Sequence, residues 1–332
     1  MRYGRLHSRT RWVPLMGVWL WLFLAHPGWA QSAMPVPASD GLSDTKAGSV
    51  LVYPVYSSSS FQPSGENTRI NITNTNDSSS VTIHLFFVDG TTCAPADSFA
   101  CLTPQQTLSF LASDYDPNTL GYLVAVAVDS NGCPVSFNYL IGDAYVKLLT
   151  GHAANYGAEA FAARYVGRMP GSSPADLAAT LQFDGGASGY NQPPRTVAVD
   201  GLLNPLDGSS DLLYVMRLGG NLSAGAGGKI GLISGLLFDD TERAFSFVTF
   251  FGQNACQFQA IISNNFPRTT PRFSQVIRRG RTGWMKLTPN EPVGILGVIL
   301  TSKFPDPPAG RNVHRLTTTA DTLVIPIFQA PC

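Results

Sequence analysis

The chain is short of histidine, of charge and of long apolar runs, and each shortage closes off a class of function. Beyond residue 30 there are three histidines, His84, His152 and His314, far apart and in no metal-ligand spacing. No HExxH or CxxC motif occurs, so neither a zinc-protease site nor a paired-cysteine metal or redox site is expected. The nucleophile motif GxSxG is missing. Gly186-Ala187-Ser188-Gly189 falls one residue short of it, which excludes a serine hydrolase of that type. The Gly-rich stretch 219–231 contains Gly228-Lys229, but Ser223 and Ile230 stand where a phosphate loop needs Gly and Ser or Thr, so it reads as a hairpin loop. After Ala25 every apolar run is soon broken by Asp, Gly, Pro or Lys, so no transmembrane segment is expected in the mature chain. No cofactor is expected.

The amino terminus carries Arg2, Arg5, Arg9 and Arg11 with no acidic residue, followed by the uncharged run Trp12 to Ala25 and the small-residue site Gly28-Trp29-Ala30. That order is a signal peptide, residues 1–30, with an apolar run shorter than the ~20 residues that span a bilayer. Export to the periplasm, the cell surface or the medium follows. Residues 31–47, rich in Pro, Ser and Asp, read as a flexible leader. Removing the four leading arginines leaves eighteen basic against twenty-two acidic residues, a net charge of −4. Residues 31–150 hold three of those bases, and residues 151–332 hold fifteen. Such asymmetry suits two domains with different surfaces.

From residue 48 onward short β-rich runs alternate with turn residues. Ser49–Tyr56, Thr68–Asn74, Val81–Val88, Thr107–Ala112, Gly121–Val128 and Val135–Ile141 are expected strands of a first domain, 48–150. Residues 151–193 read as a junction, with a short helix over the six-alanine stretch 151–166 and loops after it. Strand signals resume across 194–332, at Leu212–Leu218, Gly294–Leu300 and elsewhere. The expected fold class is all-β: two tandem antiparallel, immunoglobulin-like β-sandwich domains.

All five cysteines lie beyond the signal peptide, where disulfides persist. Cys93 with Cys101, and Cys256 with the terminal Cys332, are the expected pairs, with Cys133 left over; spacing alone leaves other connectivities open. Arg268, Arg272, Arg278, Arg279, Arg281 and Lys286, interleaved with Phe273 and Trp284, form the densest basic segment. Guanidinium forks among aromatic faces suit an anionic glycan or another envelope component, and export makes nucleic acid the poorer partner. Asp114 and Asp116 alternate in a loop as calcium ligands would, although a turn of Asp, Pro and Asn needs no metal. His152 lies seven residues before Glu159, so a helix would place them on one face as an acid/base pair. Glu159, Asp239 and Asp240 are the carboxylates available to a hydrolase.

Residues 67–75, 84–90, 109–114 and 121–129, with Gly151-His152-Ala153-Ala154 and 264–273, resemble a group of uncharacterised exported bacterial β-rich proteins with no assigned activity. The resemblance implies export and a bacterial source, and transfers no site. The resulting expectation is a secreted or cell-surface, non-enzymatic protein with a structural, adhesive or envelope-binding role. The alternative is a glycan-binding module or glycan hydrolase.

Overall fold

Several strand runs are apolar at almost every position, and this decides how they pack. A strand with one wet face alternates apolar and polar residues, whereas one covered on both faces does not. All residues of Val50–Ser57 are buried, as are all but the last of Val81–Asp89 and all but the first of Leu120–Val128. A computed structural model describes residues 41–59, 61–250, 255–303 and 305–332. The expected signal peptide, and the leader up to residue 40, lie outside the described residues.

The protein is all-β, but the two tandem immunoglobulin-like sandwiches do not form. The strands distribute over five small sheets of four or five strands each, in a five-bladed β-propeller arrangement. One sheet runs Pro95–Leu102, Val81–Asp89, Leu120–Val128, Val50–Ser57, Glu159–Phe161, and another Gln257–Ile261, Ser209–Arg217, Ile295–Lys303, Asp306–Asn312. Successive side chains point to opposite faces, so each central strand feeds separate cores. Leu51, Ile83 and Leu123 join Ile70 and Ile72 in one core, which also takes Leu212, Tyr214, Val298 and Leu300. Val52, Phe86 and Val124 face the other way, against Leu181, Phe183, Leu323 and Ile325. Leu213, Val215 and Ile299, from the same strands as Leu212 and Val298, pack with Val197, Val199 and Leu287. Strands on either side of the expected junction therefore share cores, and separate sandwiches cannot be drawn around them. Fully burying side chains of this size contributes about 1.5–3 kcal/mol each, which favours strands covered on both sides.

The expected helix across 151–166 is instead two strands, Ala153–Gly157 and Glu159–Phe161. All six of its alanines are buried. Their small side chains serve close approach between sheets: a Cβ built on Gly310 would lie 2.4 Å from that of Ala154. Packing overrides helix propensity here. The end of the leader is paired too, with the Ala160 amide donating to the Ser43 carbonyl at 3.0 Å.

The expected disulfides are also replaced. Cys101 bonds to Cys332, with Cα atoms 6.2 Å apart. Cys93 sits in a left-handed turn, φ 64°, and faces the apolar core, whereas Cys101 lies on the exposed side of Pro95–Leu102; the two point to different places. Pinning of the carboxy terminus holds, with Cys101 in place of Cys256. Cys256 and Cys133 are buried.

Candidate functional site

The residues singled out in sequence divide sharply once placed. His152 is buried and held by Thr150 Oγ1 at Nδ1 (2.9 Å) and by the Ser210 carbonyl at Nε2 (3.0 Å). With no helix to align them, it forms no acid/base pair with Glu159. Asp114 accepts from the Leu111 amide, and Asp116 accepts from the Tyr56 hydroxyl, so the two supposed calcium ligands serve different partners. Among the described residues no group of three or more His, Cys, Asp or Glu could hold a metal ion. Asp239 accepts from the Thr241 amide and hydroxyl and from the Arg243 amide and Nε. Burial pulls its pKa up, but those bonds outweigh it and hold the carboxyl well below the usual range. It closes a turn and has no proton to give.

The basic segment is dispersed, and two of its six cations are answered by carboxylates. Arg281 pairs with Asp240 at 2.8 Å and Arg279 with Asp207 at 3.6 Å. Arg272 precedes the short helix Phe273–Val276, and Arg268 lines a separate cleft with Phe250 and Phe266. Trp284 is half-buried, its ring stacked on Phe238 with centroids 4.2 Å apart. Arg278 remains exposed on a turn.

A second basic region, assembled from distant parts of the chain, surrounds Arg315. Two clefts share this residue. One, of about 330 Å³, is lined by Asp44, Glu159, Arg311, Asn312 and His314; the other, of about 470 Å³, by Arg164, Asn191, Gln192, Thr317 and Thr318. Asn312 Nδ2 donates to Asp44 Oδ2 (3.1 Å) and to the Gly157 carbonyl (2.8 Å), tying the leader's end to the Asp306–Asn312 strand. Arg311 Nε pairs with Asp200 at 2.9 Å, and His314 Nε2 lies 3.4 Å from the same carboxylate. Burial raises the pKa of Asp200, yet Arg311 and His314 bring it below the usual value. Arg315 itself forms no ion pair among the described residues. Its guanidinium lies against Gly41, whose φ of 110° is a conformation that favours glycine.

Glu159 is buried in the wall of the smaller cleft. Burial, joined by repulsion from Asp44 and opposed by Arg315, pushes its carboxyl up to about 8. The group is therefore a neutral hydrogen-bond donor at pH 7. Sequence reasoning named Glu159 but missed Arg315, Arg311 and Asp44. The cluster Arg311-Asn312-Val313-His314-Arg315, in a chain with only 13% charged residues, was the available signal.

No helix among the described residues is long and apolar enough to cross a membrane. No family model, curated protein or solved structure matches the chain.

Proposed function

We propose that the protein is an exported, non-enzymatic binding protein whose ligand is an anionic glycan held at the Arg315 clefts. The observation that carries this reading is a guanidinium, Arg315, with no ion pair among the described residues, at the boundary of two polar clefts beside the amides of Asn191 and Gln192 and the hydroxyls of Thr317 and Thr318. A planar fork of N–H donors matches a carboxylate or sulfate, and neighbouring amides and hydroxyls suit sugar hydroxyls. Glu159, neutral at pH 7, adds a donor without repelling the anion. The signal-peptide pattern of residues 1–30 supports export.

Glycan-array binding by the mature protein tests this, with Arg315→Ala set beside the triple variant Arg278→Ala/Arg279→Ala/Trp284→Ala. Loss on Arg315→Ala alone supports the cleft. Loss only in the triple variant moves the ligand to the basic segment, and no binding to any glycan ends the reading.

One observation favours hydrolysis as a second reading. A carboxylic acid protonated near neutrality beside a second carboxyl, Asp44, is the pairing that glycosidic cleavage uses. Release of reducing ends that Glu159→Gln abolishes while binding persists would establish this reading over simple binding.

A further inference from the structure

Two cysteines far apart in sequence meet beneath the turn that follows Val81–Asp89. Cys256 Sγ lies 3.2 Å from the Asp89 carbonyl oxygen and 3.6 Å from that of Gly90. The Cys93 amide donates to the same Asp89 oxygen at 2.9 Å. Both cysteines thus meet at one carbonyl oxygen, within the same apolar core. Neither backbone is loose. The Gly227 amide donates to the Cys93 carbonyl at 2.8 Å, the Arg217 amide to that of Cys256 at 3.1 Å, and the Gln257 amide to Gly90 at 3.2 Å. Cys93 is 2% exposed and Cys256 is 0% exposed, in an apolar core that Tyr122 also lines. Two cysteines gathered at one carbonyl oxygen, on a chain that already carries a disulfide between Cys101 and Cys332, are placed close enough to ask whether they form a second bond.

We infer that Cys93 and Cys256 are the halves of a second disulfide, closed by thiol–disulfide exchange with a small-molecule or protein disulfide as the chain folds. Cys93 attacks one sulfur of the incoming disulfide and expels the other as a thiol, leaving a mixed disulfide. Cys256 then attacks the Cys93 sulfur and expels the second thiol. One disulfide is reduced to two thiols, two cysteines are oxidised to one disulfide, and their two protons end on the released thiols. Either cysteine can make the first attack and the other the second, with the same products. Because both sulfurs are covered in the finished fold, exchange precedes final packing. Cys133, with its amide donating to Asp129, is left as the one thiol.

The test is peptide mapping of the full mature chain, refolded with oxidised and reduced glutathione, then alkylated in denaturant without reductant. The expected result is a Cys93–Cys256 cross-linked peptide beside Cys101–Cys332, with Cys133 alone alkylated. Cys133→Ser should then leave no alkylatable thiol, and Cys93→Ser should restore one at Cys256. Recovery of Cys93 and Cys256 both alkylated, with Cys101–Cys332 intact, overturns the inference. So does a cross-link from either of them to Cys133.

Discussion

The protein has two arginine-rich regions, one continuous in sequence and one assembled by the fold. In the segment 268–284 the cations are close in sequence, but Arg279 and Arg281 are matched by Asp207 and Asp240. Around Arg315 the contributing residues come from 41–44, 159, 164, 191–192 and 311–318, and the central guanidinium has no carboxylate within ion-pair distance among the described residues. Density of charge along a chain measures how many counter-charges folding must supply nearby. An unmatched charge in a cleft is what a ligand can use.

The largest expected difference between the regions is in how they respond to pH. Glu159 keeps its proton to about pH 8 in the folded protein and loses it near its ordinary value of 4.5 when unfolded. The unfolded form is therefore favoured progressively as pH rises from about 4.5 to 8. Over that range unfolding free energy should fall by at most about 4 kcal/mol, and Glu159→Gln should flatten the slope in denaturant titrations. Asp239 is ionised in both states across the same window and contributes no slope. Its stabilisation is lost only as pH falls below the usual carboxylate range.

The next effect is on the ligand. Removing charge-assisted hydrogen bonds costs about 1.5–3 kcal/mol. Arg315→Ala should therefore weaken anionic-glycan binding about ten- to a hundredfold, measured by calorimetry, with Arg315→Lys restoring part of it. Asp239→Ala leaves the Thr241 and Arg243 amides without their acceptor, and should lower stability by about 1–3 kcal/mol with no change in binding. Smallest of all is Arg281→Ala. Its pair with Asp240 is 65% exposed on the arginine side, so solvent screening limits the loss to about 0.5 kcal/mol or less, and glycan affinity should not move. A binding defect in Arg281→Ala equal to that of Arg315→Ala would erase the distinction between the regions.

Much of the strand layout was legible. Val50–Ser57, Asn67–Asn74, Val81–Asp89 and Leu120–Val128 coincide with runs readable from apolar and β-branched residues. Their assembly departs from a sandwich because these strands are covered on both faces. The alternation such a face requires is absent from VTIHLFFV and GYLVAVAV. Other elements carried contrary local signals. Asp306–Asn312 reads DPPAGRN, which looks like a turn, yet pairs along Ile295–Lys303. Pro95–Leu102 opens on a proline and carries Asp97 and Ser98, yet pairs along Val81–Asp89. The cleft was illegible for a different reason. Only sheet pairing, Ser43 on Ala160 and Asp306–Asn312 on Ile295–Lys303, brings Asp44 and Arg311 to Glu159, and register between distant strands is not written in either strand alone.

The bond between Cys101 and Cys332 closes 231 residue steps of chain into a covalent ring. A single proteolytic cut anywhere inside that ring opens it without releasing a fragment, so nicked and intact molecules share one mass, apart from a water, until the bond is reduced. Tension behaves likewise. A load applied at the carboxy terminus passes through sulfur to residue 101 and on toward the amino terminus, and residues 102–331 cannot be drawn out as a slack line. Most of the chain's length is thereby kept off the load path.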